Sequence, residues 1–177
     1  MSWSEPRVTR RGVLALVVFS LGGCGFRPLY AGRGPADWDP DLAAISVSPV
    51  HDRTGQILTL ALRENLNPGG GPVPARWRLD TTLYVSRNDL GIQRNSTTTG
   101  SEVFVTATFA LFDIKSGKQV YASTSRANSD YDRLVDSYAT QVAGDDAQDR
   151  ALHQVADEMS LRLALFVRQQ RTKASNP

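Results

Sequence analysis

The chain is poor in the residues that carry covalent and metal chemistry. Its 177 residues hold one cysteine, Cys24, and two histidines, His51 and His153. A single cysteine excludes an intrachain disulfide, and so few soft ligands argue against a protein-held zinc site. No Gly-x-Ser-x-Gly elbow is present, and Gly69-Gly70-Gly71 is flanked by prolines without the Lys-Ser/Thr of a phosphate loop. The longest apolar run, Val13 to Leu21, has nine residues, about half of what a membrane-crossing helix needs. Charge of one sign is also lacking, with 20 Lys plus Arg against 18 Asp plus Glu. These absences leave no catalytic residues, no metal and no cofactor to assign, and the sequence reads as that of a non-enzyme.

What is present at the N-terminus is an address. Arg7, Arg10 and Arg11 precede the run Val13–Leu21, and Leu21-Gly22-Gly23-Cys24 follows it. A basic segment, a short apolar segment and small residues before a cleavage point are the parts of a signal peptide. Ending on cysteine, they match a bacterial lipobox, whose thiol takes a diacylglyceryl group. The expected division is a signal peptide over 1–23, then an acylated Cys24 with a tether to residue 42. A folded domain over 43–172 and a disordered tail over 173–177 follow. Thr9-Arg10-Arg11 leaves twin-arginine and Sec export both open. Losing Arg7, Arg10, Arg11 and Glu5 takes Lys plus Arg from 20 to 17 and Asp plus Glu from 18 to 17. A neutral mature chain gives no reason to expect nucleic-acid binding. A multiply acylated cysteine is enough for stable anchoring, so the partner expected first is a membrane surface.

The mature chain reads as alternating elements. Residues 44–50 alternate apolar and small polar side chains, as a strand does. Asp52 or Thr54 can cap a helix starting near Gly55, with Ile57, Leu58, Ala61, Leu62 and Leu66 at helical spacing and an end at 65–67. Trp77, Leu79, Thr81, Leu83 and Val85 alternate with polar neighbours in a second strand. Asn88-Asp89-Leu90-Gly91 reads as a turn, 92–113 as a long third strand, 113–118 as a hairpin turn with Gly117 at its left-handed position, and 119 to about 128 as a fourth strand. Residues 129–144 either begin the last helix early or form a packed loop. From Asp145 to about Thr172, Leu152, Val155, Ala156, Met159, Leu163, Phe166 and Val167 make one apolar stripe. The order β-α-β-β-β-α predicts an α+β fold. It is a two-layer sandwich in which two helices cover a four-stranded, mostly antiparallel sheet.

Cations at the turns are the remaining candidates for a site. Arg87 and Arg94 flank the expected turn after the second strand, and Lys115 and Lys118 lie on the next one. Arg grips phosphate bidentately and Lys supplies a point charge. Successive turns of a meander lie at opposite ends of the sheet, so the two pairs need not meet.

Cys24-Gly25-Phe26-Arg27-Pro28-Leu29-Tyr30 resembles the opening of the mature lipopolysaccharide-assembly lipoproteins, the LptE-like family. Thr54-Gly55-Gln56-Ile57-Leu58, Leu90-Gly91-Ile92 and Ser137-Tyr138-Ala139 are similar to it as well. The resemblance implies an α/β sandwich held inside an LptD-type outer-membrane β-barrel. There it would plug the translocon, assist its assembly and bind lipopolysaccharide. The four turn cations Arg87, Arg94, Lys115 and Lys118 are then the residues to meet the lipid's phosphates. The expected place is the outer membrane, lipid-anchored, with the body facing the periplasm or inside the barrel lumen. Gly25 after the cysteine fits passage to that membrane. The other readings are a free periplasm-facing lipoprotein that binds a small ligand, and a pilot lipoprotein for another secretion pore.

Overall fold

The computed structural model describes residues 39–92 and 98–175. Cys24, the signal segment and Arg94 lie outside the described residues. In chain order the elements are α1 (Pro40–Ala43), β1 (Ile45–Val47), α2 (Arg53–Leu66), β2 (Trp77–Ile92), β3 (Thr98–Asp113), β4 (Gln119–Asp132) and α3 (Ser137–Ser175). The four strands form one sheet in the order β1-β2-β3-β4. β1 runs parallel to β2, as the α2 crossover allows, and β2, β3 and β4 form an antiparallel meander. The expected α+β two-layer sandwich is what the chain forms.

Alternation along the strands decides which face is covered. In β3, Val103, Val105, Ala107, Phe109 and Leu111 are buried, whereas Phe104 and Thr108 between them are exposed. The buried face meets Leu58, Ala61, Leu62 and Leu66 of α2 and the stripe from Ala147 to Val167 of α3 in one core. Tyr121 stacks on Phe166, with centroids 5.0 Å apart, and closes that core at one end. Asp52 caps α2 by accepting from the Gly55 N–H. Gly55 has no room for a side chain, because an added Cβ would overlap Val50. Gly117, at φ 66°, turns the β3–β4 hairpin, and Asp113 accepts from the Ser116 N–H at 2.7 Å within it.

Several boundaries differ from the sequence reading. Asn88-Asp89-Leu90-Gly91 is not a turn. Its backbone continues β2, with Asn88 opposite Glu102 and Leu90 opposite Gly100. The ladder to β3 outweighs the local turn preference, because each added pair satisfies main-chain groups that a turn would leave to water. β1 shortens to three residues, and β4 extends to Asp132. The last helix starts at Ser137 rather than Asp145 and continues to Ser175, past the fraying expected after Thr172. Gly144 is therefore a helix-interior residue. A Cβ there would sit 3.2 Å from the Tyr131 ring, so the glycine admits a close helix–strand contact, which offsets its poor helix propensity of about 1 kcal/mol. The stretch expected as tether also holds structure at its end. Leu42 is buried, and Asp39 and Asp41 both pair with Arg171 near the end of α3. That pairing raises the Arg171 pKa, chiefly through the hydrogen bond to Asp41.

The outer edge of β4 is guarded by α3. The Arg126 N–H donates to Glu158 at 3.3 Å, Arg150 donates to the Asp130 carbonyl at 3.2 Å, and Arg162 donates to Ser123 Oγ at 2.9 Å. Charged side chains on edge groups oppose pairing with a foreign strand.

Candidate docking surfaces

Among the described residues, two surfaces are left without a covering layer. The first is the sheet face opposite the helices. Tyr84 on β2 is 68% exposed and lies diagonal to Phe104 on β3, since Tyr84 pairs with Thr106 and Ser86 with Phe104. Around them are Thr82, Thr106, Thr108 and Thr124, with the Thr108 and Thr124 hydroxyls 3.3 Å apart. Arg78 and Asp80 pair on the same face at 3.1 Å. The Ser48 hydroxyl donates to Asp80 at 2.6 Å, and that bond is the largest cause of its lowered pKa. This face is polar with isolated aromatics, and suits a wet wall rather than a dry core.

The second is a ledge between β4 and α3. Leu134, Val135, Tyr138 and Val142 all point outward, with Tyr138 75% exposed. Their backbone is pinned. The Thr140 hydroxyl accepts from the Leu134 N–H at 2.9 Å and lies 3.1 Å from the Leu134 carbonyl and 3.0 Å from the Asp136 carbonyl. Asp136 accepts from the Tyr138 and Ala139 N–H groups at 2.8 and 3.1 Å, as a helix cap does. Four apolar side chains held outward on a fixed backbone are presented at no further ordering cost, which favours contact with something else. The sequence reading took these residues for helix or packed loop. Only the capping pair Asp136 and Thr140 could have signalled the ledge.

The turn cations do not come together. Arg87 is a strand residue whose guanidinium donates to Asp145 at 2.9 Å and to Gln148 at 3.1 Å. It fastens β2 to α3 rather than flanking a turn. The bond is exposed and therefore weak. Lys115 and Lys118 lie at the opposite end, exposed on the β3–β4 hairpin. Val103, opposite Arg87, and Asp113, at that hairpin, are separated along β3 by about 33 Å. One phosphorylated headgroup cannot bridge the two places.

No other arrangement suggests chemistry. His51 and His153 are both exposed, one before α2 and one on α3. Among the described residues no group of three His, Cys, Asp or Glu could hold a metal ion. Nor is any described helix long and apolar enough to cross a membrane. An open cleft of about 380 Å³ lies between β1 and the loop after α2, lined mainly by Ile45, Val47, Leu66 and Val73 with Arg63 and Asn67 at its polar side.

Known proteins resolve the family. The model of the LptE family, described as lipopolysaccharide-assembly, matches residues 42–164. The chain belongs to that family. No curated protein matches it. Among solved structures, it is similar to a Caulobacter crescentus CB15 protein described as a lipoprotein. That likeness is 25% identity and a TM-score of 0.57 over 73% of this chain and 94% of the other. It shares the fold of the rare lipoprotein B from Shewanella oneidensis, at 17% identity and a TM-score of 0.52 over 75% and 95%. A minor lipoprotein from Acinetobacter baumannii has the same fold, at 16% identity and a TM-score of 0.51 over 67% and 86%. Membership makes this LptE-family chain a lipopolysaccharide-assembly lipoprotein, of a kind that serves outer-membrane biogenesis.

Proposed function

We propose that the protein is anchored in the outer membrane through acylated Cys24 and seats its folded body inside an LptD-type β-barrel. There it plugs the lipopolysaccharide translocon, assists its assembly and binds the lipid in transit. The observation that carries this reading is the pairing of a dry, helix-covered core with a whole sheet face and a pinned ledge left open. A barrel lumen is polar, and a Thr-rich face with scattered aromatics is complementary to it. The lipopolysaccharide contact belongs to the end of the sheet that holds Arg87. Arg87 is there in an exposed ion pair that a phosphate can displace, and Arg94 follows it in the sequence.

Photo-crosslinkers at Tyr84 and Tyr138 test the seat. Both should yield adducts with a large barrel protein after mild detergent extraction, while Leu60 on the solvent side of α2 serves as a reference position. Adducts at neither tyrosine, or a purification with no barrel, overturn the proposal. Capture of a different pore would favour the pilot reading. Cys24→Ser should abolish acylation and release the chain from the membrane, and continued palmitate labelling of that variant would refute the anchor.

A further inference from the structure

The charges of this neutral domain are sorted along its length. The chain enters the described fold at Asp39, beside Arg171, and this proximal end also holds the β3–β4 hairpin. Lys115 and Lys118 project there, with Arg76 beside the hairpin, since the Ile114 N–H donates to the Arg76 carbonyl at 3.0 Å. The last turns of α3 add Arg168 and Lys173. Among the described residues, none of these five cations has a carboxylate within salt-bridge distance. Asp113, in the hairpin, accepts from the Ser116 N–H and hydroxyl at 2.7 and 2.8 Å and also attracts the Arg76 charge from beyond ion-pair distance. Ile114, at the tip, is 49% exposed. The distal end is the reverse. Asp130, Asp132, Asp136, Asp145 and Asp146 gather there with three arginines, Arg87, Arg133 and Arg150, of which Arg87 and Arg150 pair with Asp145 and Asp146.

We propose that this proximal end is a docking surface for anionic phospholipid headgroups of the leaflet that holds the lipid anchor. The inference rests on the reading of Cys24 as the acylated residue. Fourteen residues lie between Cys24 and Asp39, so the tether spans at most about 54 Å. β2, with 16 residues, is itself about 53 Å long. The basic end is therefore where the anchor delivers the body, and the acidic end reaches the same leaflet only with the tether drawn out along the whole sheet. Lysines near an anionic surface each strengthen docking by about fivefold. Ile114 adds an apolar tip at headgroup depth. The charge pattern thus orients the domain upright, with the hairpin down and the Leu134–Val142 ledge away from the leaflet.

The test uses the acylated mature protein in nanodiscs. Because acylation occupies Cys24, a cysteine introduced at Gln119 or at Asn88 is the one free thiol for an environment-sensitive fluorophore. Headgroup spin-labelled lipid then reports depth. Quenching should be severalfold stronger at Gln119→Cys than at Asn88→Cys in phosphatidylglycerol nanodiscs. Docking strength should fall by at least roughly 25-fold when Lys115→Glu and Lys118→Glu are combined, with circular dichroism unchanged. Equal quenching at both positions, or the same quenching in pure phosphatidylcholine, overturns the inference. So does quenching that needs lipopolysaccharide at equal phosphate content and ignores phosphatidylglycerol, an outcome that leaves the barrel proposal standing. A chain that never enters the nanodisc removes the anchor and this inference together.

Discussion

The two faces of the sheet are written by the same strands, one residue apart, yet they have opposite fates. On one face Leu79, Val103, Val105, Phe109 and Leu111 are sealed under α2 and α3. On the other, Tyr84, Phe104 and Thr108 meet no further layer among the described residues. A sheet needs only one covered face to stabilise a domain of this size. The second face is free to be selected for something other than stability, and here it keeps aromatics that a merely solvated surface does not need. The lesson is that the covered face makes the fold and the open one makes the partner.

That contrast can be broken by substitution, and the largest effect belongs on the covered side. Phe109→Ala should cost about 3–5 kcal/mol, because its ring is fully buried against Tyr121 and the helices. Urea denaturation reads this directly, and a loss below about 1 kcal/mol would mean that the core is looser than described. Gly55→Ala comes next. Overlap with Val50 costs about 1–3 kcal/mol, while alanine recovers up to about 1 kcal/mol of helix propensity. The net should be a destabilisation of up to about 2 kcal/mol, and a stabilised variant would show that Val50 moves aside. Tyr84→Ala should leave stability within about 0.5 kcal/mol while lowering capture of the barrel. A large stability loss would erase the distinction between the faces.

The smallest effect sharpens the open face. Asp80 lies there with its side chain 41% exposed, and its carboxyl is held below the ordinary value first by the Ser48 hydroxyl and then by Arg78. A carboxyl depressed in the folded state stabilises above its unfolded value of about 3.9, and that contribution is lost as the pH falls through the lower folded value. Ser48→Ala should therefore differ from the parent in urea midpoint at pH 6 and converge on it toward pH 2. A difference that persists at acid pH would assign the effect to packing instead.

Much of this was legible in advance. Alternation in 77–85 identified the apolar face of β2, and the stripe from Leu152 to Val167 identified the core side of α3, because both signals are local periodicities. The family was legible from short motifs. The site was not, since Arg87 reads as a turn cation in sequence and its pairing with Asp145 needs two elements brought together. The ledge was missed for the opposite reason. Leu134, Val135, Tyr138 and Val142 are apolar, and apart from the nearby cap residues Asp136 and Thr140 nothing local says that they will be left outside.

The sequence by itself determined the order of elements, the apolar stripe of the last helix and the near balance of positive and negative charge. Each is a property of neighbouring residues or of a total. Tertiary structure alone decided where β2 stops, how early α3 begins, and that cations and carboxylates separate to opposite ends. Those outcomes depend on ladders and packing between residues distant in the chain: β3 holds Asn88–Ile92 in a strand, the Tyr131 ring over Gly144 keeps the helix running, and a long meander carries like charges to the same end.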